Sequence, residues 1–217
     1  MDRKSRPVKP PRRYDATARR AQAERNRLAV LDVAERQILT RGYTATTVGS
    51  VAAAAGVSVE MVYKAFGGKA GLVTAIRDRR LAGAGTAHAE ARSDELRARE
   101  TDPRRLVARW GALSAEVAPL VSPILLLVRE AAVTDPEMAA LRDTLDADRR
   151  RRMTINARHL RDGGYLRPGI SLAEAVDVLW TYTSPELYEL LVIRRRWAAS
   201  RYGKFVADAV AGALLPR

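Results

Sequence analysis

Apolar residues recur along this chain at helical spacing, and the Val/Ile/Thr alternation of strands is missing, which predicts helices and no sheet. Leu31, Ala34 and Ile38, flanked by Leu28 and Leu39, mark a first helix from Thr17–Arg20 to Thr40, stopped by Gly42. Thr46 and Thr47 have hydroxyls suited to capping a short second helix that ends near Ala55–Gly56. Ser58 can cap a third, which reaches Phe66 before Gly67–Gly68 break it. A fourth starts near Lys69 and runs at least to Arg80, with a continuation toward Arg99 weakened by Gly83 and Gly85. Prolines and glycines divide the rest into helices at about 103–117, 123–133, 136–162, 171–182, 185–195 and 199–215. The expectation is an all-α bundle of about nine or ten helices.

Residues 47–66 read TVGSVAAAAGVSVEMVYKAF. Val51, Ala55, Val57 and Val62 fall on what would be the inner faces of two short crossed helices, with small Ala52 at the closest approach. Gly56 sits in the connecting turn, where positive φ is cheap only for glycine. This is a helix-turn-helix pattern, whose second helix docks in a major groove. On that helix Val62 and Phe66 point inward, which leaves Ser58, Val59, Glu60, Met61 and Lys64 outward and Tyr63 at the edge.

Charge agrees with a polyanion partner for this end of the chain. The net charge is +13, and residues 1–80 hold 17 Lys/Arg against 7 Asp/Glu, whereas residues 81–217 hold 21 against 18. Residues 1–18 combine Pro7, Pro10 and Pro11 with six basic residues and read as a disordered basic arm. Cysteine is absent, which excludes disulfides, thiolate metal sites and thiol catalysis. His88 and His159 are the two histidines, too few for a three-histidine zinc site. No metal or other cofactor is expected. The GGKAG run at 67–71 lacks the first glycine and the Ser/Thr of a phosphate loop, and neither histidine has a nucleophile at motif spacing. These absences argue against an enzyme. No 18-residue apolar run and no secretory signal is visible, so the expectation is a cytoplasmic protein without a membrane span.

The stretch GYTATTVGSVAAAAGVSVEMVYKAFGGKAGLV, residues 42–73, resembles the DNA-binding domain of the TetR (tetracycline-repressor) family. Gly42-Tyr43, Thr46-Thr47, Ala55-Gly56-Val57-Ser58, Tyr63, Phe66, Lys69 and Leu72 carry the likeness, over about the first 80 residues. By position, the resemblance implies that Thr47, Tyr63 and Lys69 contact phosphate, Lys69 together with the dipole of the fourth helix. It implies that Val59, Glu60, Met61 and Lys64 face base edges, with Val59 and Met61 toward a thymine methyl and Glu60 toward cytosine N4. Gly49, where some members place a polar or basic reader, and the acidic Glu60 depart from the common pattern and make the operator sequence less predictable.

The second half is similar to the family's all-α regulatory domain more loosely, chiefly over residues 178–215. There the resemblance implies a four-helix dimer interface built from helices 171–195 and 199–215, and Phe205, Ala209 and Ala213 would give the last helix one flat apolar face. Completing the monomer core is the alternative use of that face. A pocket for a small, largely hydrophobic effector would lie between the central helices. Trp110, Met138, Met153, Trp180, Tyr182 and Tyr188 are bulky enough to line it, with Glu116 and Arg129 as polar anchors. Ordinary core packing is the competing role for each.

The expected organisation is a basic arm at 1–18, a helix-turn-helix domain at 19–68, a connecting helix at 69–84, and a ligand-binding and dimerisation domain at 85–217. The expected function is a ligand-responsive homodimeric regulator, a repressor released from a palindromic double-stranded DNA operator by its effector. The rivals are an effector-independent, nucleoid-type DNA binder and, more distantly, a helical enzyme. The arm either tracks the minor groove or phosphates, or is a solvated tail that raises non-specific affinity. If it contacts phosphate, deleting residues 1–18 flattens the salt dependence of DNA binding in a titration from low to high salt. An unchanged slope removes that role.

Overall fold

Thr46 and Thr47 are neighbours with different work. The Thr46 hydroxyl is buried and donates to the Gly42 carbonyl at 2.9 Å, closing the turn after the first helix. The Thr47 hydroxyl accepts the Ser50 N–H at 3.0 Å and so starts the second helix, while the Ser50 hydroxyl accepts the Thr47 N–H. This pair converts one helix into the next at a fixed angle.

The computed structural model describes residues 16–83 and 88–217. All of the regular structure among them is helical: α1 (Ala16–Arg41), α2 (Val48–Ala55), α3 (Val59–Phe66), α4 (Lys69–Ala82), α5 (Ala89–Arg99), α6 (Pro103–Ala131), α7 (Pro136–Asp162), α8 (Leu172–Tyr182), α9 (Pro185–Tyr188) and α10 (Ala199–Leu214), with a π-helical turn at Glu189–Arg194. The expected disordered arm falls on residues 1–15, which lie outside the described residues, except that residues 16–18 belong to α1. The chain after α4 does not continue as helix to Arg99. Gly83, at φ 62°, caps α4 through bonds to Arg79 and Arg80, and α5 begins separately at Ala89.

One expected division fails. The helices read at 103–117 and 123–133 are a single α6 that runs through Pro119 and Pro123. An interior proline removes one backbone bond and disfavours helix by ~3 kcal/mol. Here the apolar face outweighs it: Leu106, Val107 and Trp110 on one side of the prolines, and Val121, Ile124 and Val128 on the other, are all buried. α6 is also long and apolar enough by composition to cross a membrane. Its apolar face is instead packed inside the bundle, against α10, α7, α4, α5 and α9.

The core has two parts. One joins the head to the body, with Val30, Ala34, Ile38, Val51, Val62, Leu72 and Ile76 packed together with Ile124, Val128, Met138 and Leu145. The other fills the body between α6, α7, α8 and α10. Its tightest point is the crossing of α6 and α10. A Cβ at Gly111 would overlap the Gly203 carbonyl oxygen, and a Cβ at Gly203 would overlap the Gly111 carbonyl oxygen. Backbone therefore meets backbone, and Tyr202, Val206 and Val210 seat around the contact.

The crossing generates a contrast within one helix. Gly203→Ala must push α10 off α6 and should lower stability by about 1–3 kcal/mol, as overpacking does. Gly212→Ala, whose Cβ would meet nothing within 4 Å, should raise it by up to about 1 kcal/mol through helix propensity. Urea unfolding midpoints of the two variants measure the difference.

Candidate nucleic-acid interface and internal cavity

The second helix of the head is positioned from below. Gln37, buried on α1, donates to the Ser50 carbonyl at 3.3 Å and accepts from the Ser50 hydroxyl at 2.8 Å, which fixes the start of α2 against α1. Gly56, at φ 68°, ends α2 in the left-handed conformation and turns the chain into α3. Ser58 caps α3 by accepting the Met61 N–H at 3.2 Å. Val62 is then fully buried, while Val59, Glu60, Tyr63 and Lys64 are exposed. Met61 is half-buried against the head's core rather than fully outward. Glu60 folds back onto its own helix start: its own backbone N–H and the Ser58 side chain hold its carboxyl below the usual range.

Three groups beside α3 suit a polyanion. The Thr47 hydroxyl accepts from Ser50 and keeps its own hydrogen for an outside acceptor. Tyr63 is 53% exposed, its ring lying along Gly68 at the start of α4. That helix start has no side-chain cap, so its first N–H groups have no side-chain acceptor and its dipole favours an anion. Gly71 is required there, since a Cβ would run into the Phe66 carbonyl at the end of α3. Lys69 is not extended into solvent: its ammonium sits 3.7 Å over the Tyr43 ring, and burial lowers its pKa against the opposing pull of Asp135.

Tyr43 continues that contact into the body. Its hydroxyl donates to Asp135 Oδ2 at 2.9 Å, and Asp135 is also the N-cap of α7, accepting the Glu137 and Met138 N–H groups. The Tyr43 hydrogen bond first, then the Met138 N–H, hold the Asp135 carboxyl below its ordinary range. Burial, reinforced by Asp135, pushes the Tyr43 phenol well above its own. Neither Tyr43–Asp135 nor Gln37–Ser50 has a periodic signal in the sequence, since each joins residues far apart in a manner only the fold sets.

The body holds a partly open cavity of about 220 Å³ bounded by α4, α5, α6, α7, α8 and α10. Trp110 and Met153, expected to line a pocket, do line it. The other expected residues lie elsewhere. Met138 is fully buried in the head–body core. Trp180 stacks under the Arg149 guanidinium at 4.5 Å. Tyr182 packs edge-on to Phe205, and Tyr188 edge-on to Tyr202. Glu116 pairs with Arg92. Arg129 pairs with Glu186 at 3.3 Å and Glu189 at 2.7 Å on the outer surface. Sequence reasoning missed the polar wall: Arg77 from α4, and Ser93, Arg149, Arg152 and Asn156 from α5 and α7. Burial pushes the Tyr202 phenol, also on the wall, up to about 12, so it stays neutral.

The head has the geometry of a helix-turn-helix DNA-binding domain, carried on a helical body with an internal cavity. Residues 30–76, which span most of the head, match the family model described as bacterial regulatory proteins, tetR family. The fold of the whole chain is that of TetR-family structures. The complex of triclosan with SmeT, the repressor of the Stenotrophomonas maltophilia multidrug efflux pump SmeDEF, is 20% identical with a TM-score of 0.68, over 88% of this chain and 92% of that one. A putative transcriptional regulator from Saccharomonospora viridis in complex with choline is 19% identical with a TM-score of 0.65, over 90% and 100%. The fatty acid degradation regulator FadR from Bacillus halodurans is 15% identical with a TM-score of 0.69, over 88% and 97%. A comparison with curated protein sequences finds no match. Among the described residues no group of three or more side chains is arranged to hold a metal ion.

The Tyr43–Asp135 bond should make stability pH-dependent. Because the folded carboxyl is depressed, its contribution is present above the unfolded pKa of about 4 and disappears as pH falls through the lower folded value. Asp135→Asn preserves the helix cap and removes the titration. The parent should therefore lose more melting temperature than the variant between about pH 5 and pH 3; parallel curves in that window refute the linkage.

Proposed function

We propose that the chain is a ligand-responsive transcriptional repressor. A homodimer places two copies of α3 in successive major grooves of a near-palindromic operator, and a small effector in the body cavity releases it. The observation that carries this reading is that one helix serves both places. α4 opens beside the exposed Tyr63 with an N-terminus that has no side-chain cap, and eight residues later its Arg77 lines the cavity. Occupancy that moves Arg77 moves the support of α3.

In this reading Thr47, Tyr63 and the α4 start take phosphates, and Val59, Glu60 and Lys64 face the bases, with Ser58 and Met61 supporting them. Lys69 serves as a phosphate contact from its seat on Tyr43, so it reports on the junction as well. Residues 69–84 act as the connection between the head and the sensing body. The dimer forms through α8 and α10. Phe205, Ala209 and Ala213 lie on the half-exposed side of α10, flanking the Tyr202–Val206–Val210 face that packs into the body. Tyr182 and Trp197 flank Phe205 there. A non-catalytic, cytoplasmic role follows, and SmeT and the choline-bound regulator, each with a small molecule, support an effector for this chain too.

Footprinting on genomic fragments tests the reading. Discrete protected sites are expected, whereas uniform protection at low salt supports an effector-independent nucleoid-type binder. On a footprinted site, Tyr63→Phe keeps the ring and loses one charge-assisted hydrogen bond, which should weaken binding about tenfold. Lys69→Ala should reduce the slope of log affinity against log salt by about one. If both variants bind like the parent, the docking geometry is wrong.

A further inference from the structure

The cavity wall is apolar over most of its area, yet its polar atoms are unequally satisfied. Arg77 Nε, Trp110 Nε1 and Arg152 Nε are all buried without a hydrogen-bond partner, and all three side chains line the cavity. Each of these atoms is an N–H donor, and no wall oxygen is left in the same condition. Trp110 is 8% exposed, so its indole N–H has no route to bulk water.

The charges are also sorted by depth. The side chains of Arg77, Arg149 and Arg152 are 12–15% exposed. The acidic wall residues Asp146 and Asp148 are 49% and 32% exposed, and Glu90 is exposed too. The carboxylates are therefore hydrated at the rim, while the guanidiniums and the unpartnered donors of the wall residues lie deeper. Burial lowers the Arg149 pKa more than Asp146 raises it, a cation whose desolvation its partner does not offset.

We propose that the cavity binds a small apolar carboxylate, its hydrocarbon body beside Trp110, Met153 and Val206 and its anionic head on the free N–H donors of Trp110, Arg77 and Arg152. This rests on the reading of the cavity as the effector site and names the ligand class. Size sets the upper bound. A cavity of about 150 Å³ holds benzene, so 220 Å³ accommodates roughly nine or ten heavy atoms. A carboxylate brings about four lone-pair sites, enough for three donors. An alcohol brings two, and an ammonium brings none and would add a cation beside buried guanidiniums.

The test uses three probes of one chain length, octanoate, octan-1-ol and octylamine, titrated into the full-length protein by calorimetry. Octanoate should bind at least about tenfold more tightly than either of the others. Trp110→Phe keeps most of the ring and deletes the N–H. It should weaken octanoate about five- to tenfold while leaving octan-1-ol within about twofold. Arg152→Lys keeps the charge and loses the Nε–H, and should act in the same direction. Equal binding of the three probes, no binding of any, or full octanoate affinity in Trp110→Phe overturns the assignment. Operator release separates this from the functional reading. If octan-1-ol or octylamine releases the operator and octanoate does not, the effector role stands and the acid assignment falls. If octanoate binds with the expected preference and operator affinity does not move, the ligand class stands and the repressor mechanism falls.

Discussion

Head and body are held together by three arginines of α4. Arg79 donates to Asp32 at 2.6 Å and to Glu35, and Arg80 donates to Glu35 at 2.5 Å, so both grip α1 from the last turns of α4. Arg80 also reaches the Leu120 carbonyl of α6 at 2.7 Å, which ties the same point to the body. Arg77 turns the other way, toward Asp78 at 3.1 Å and Asp148 of α7 at 3.7 Å. An isolated surface pair contributes little, but Glu35 is only 17% exposed and receives two guanidiniums. Removing it would leave Arg80 without a carboxylate partner and Arg79 with Asp32 alone, the costly half of any such network. The angle of α3 to the body therefore depends on where α4 lies, and α4 is fixed by charges at its C-terminal end.

That arrangement explains why one of the two core clusters spans head and body, from Val30 to Leu145. Ile76 on α4 is fully buried between head and body, and Ile124, Val128 and Met138 complete the layer beneath the helix-turn-helix. The Tyr43–Asp135 bond and the Lys69 ammonium over Tyr43 form a second tie on the opposite side of the head. With two ties, a shift of α4 cannot be absorbed by loose hinging. It must either rotate the head or break one of them.

The head was legible in the sequence because its signals are local. A threonine cap, a glycine at positive φ and a serine cap lie within a dozen residues, and each acts on its own turn of backbone. The division of the second half into helices was legible wherever a proline stood at a real boundary, as Pro103, Pro136 and Pro185 do. Pro119 and Pro123 carry the same local signal without the outcome, because long-range burial of Val121, Ile124 and Val128 outweighs a missing backbone bond. The cavity was the least legible part. Hydrophobic bulk singled out Trp180, Tyr182 and Tyr188, which are occupied with each other's neighbours, Arg149, Phe205 and Tyr202. The polar wall comes from Arg77, Arg149 and Arg152, which along the chain look like any solvated arginines. Only packing from four directions distinguishes them.

Arg77 is where these constraints meet a ligand. A molecule can shift the head only by binding two arrangements of α4 with different affinity. Of the two α4 residues on the wall, Leu81 and Arg77, a purely apolar occupant can engage Leu81 but not the Arg77 charge. An acceptor placed on Arg77 competes with Asp148 of α7 for the same guanidinium, and it does so from inside the body. The Arg77–Asp148 pair, at 3.7 Å, is the longest of the α4 ion pairs, and a charge-assisted bond at closer range is stronger. In the proposed reading the head group of a ligand therefore adds to the leverage its hydrocarbon body has on α4 through Leu81, and by reciprocity DNA that fixes the other arrangement of α4 weakens that head-group contact by the same factor.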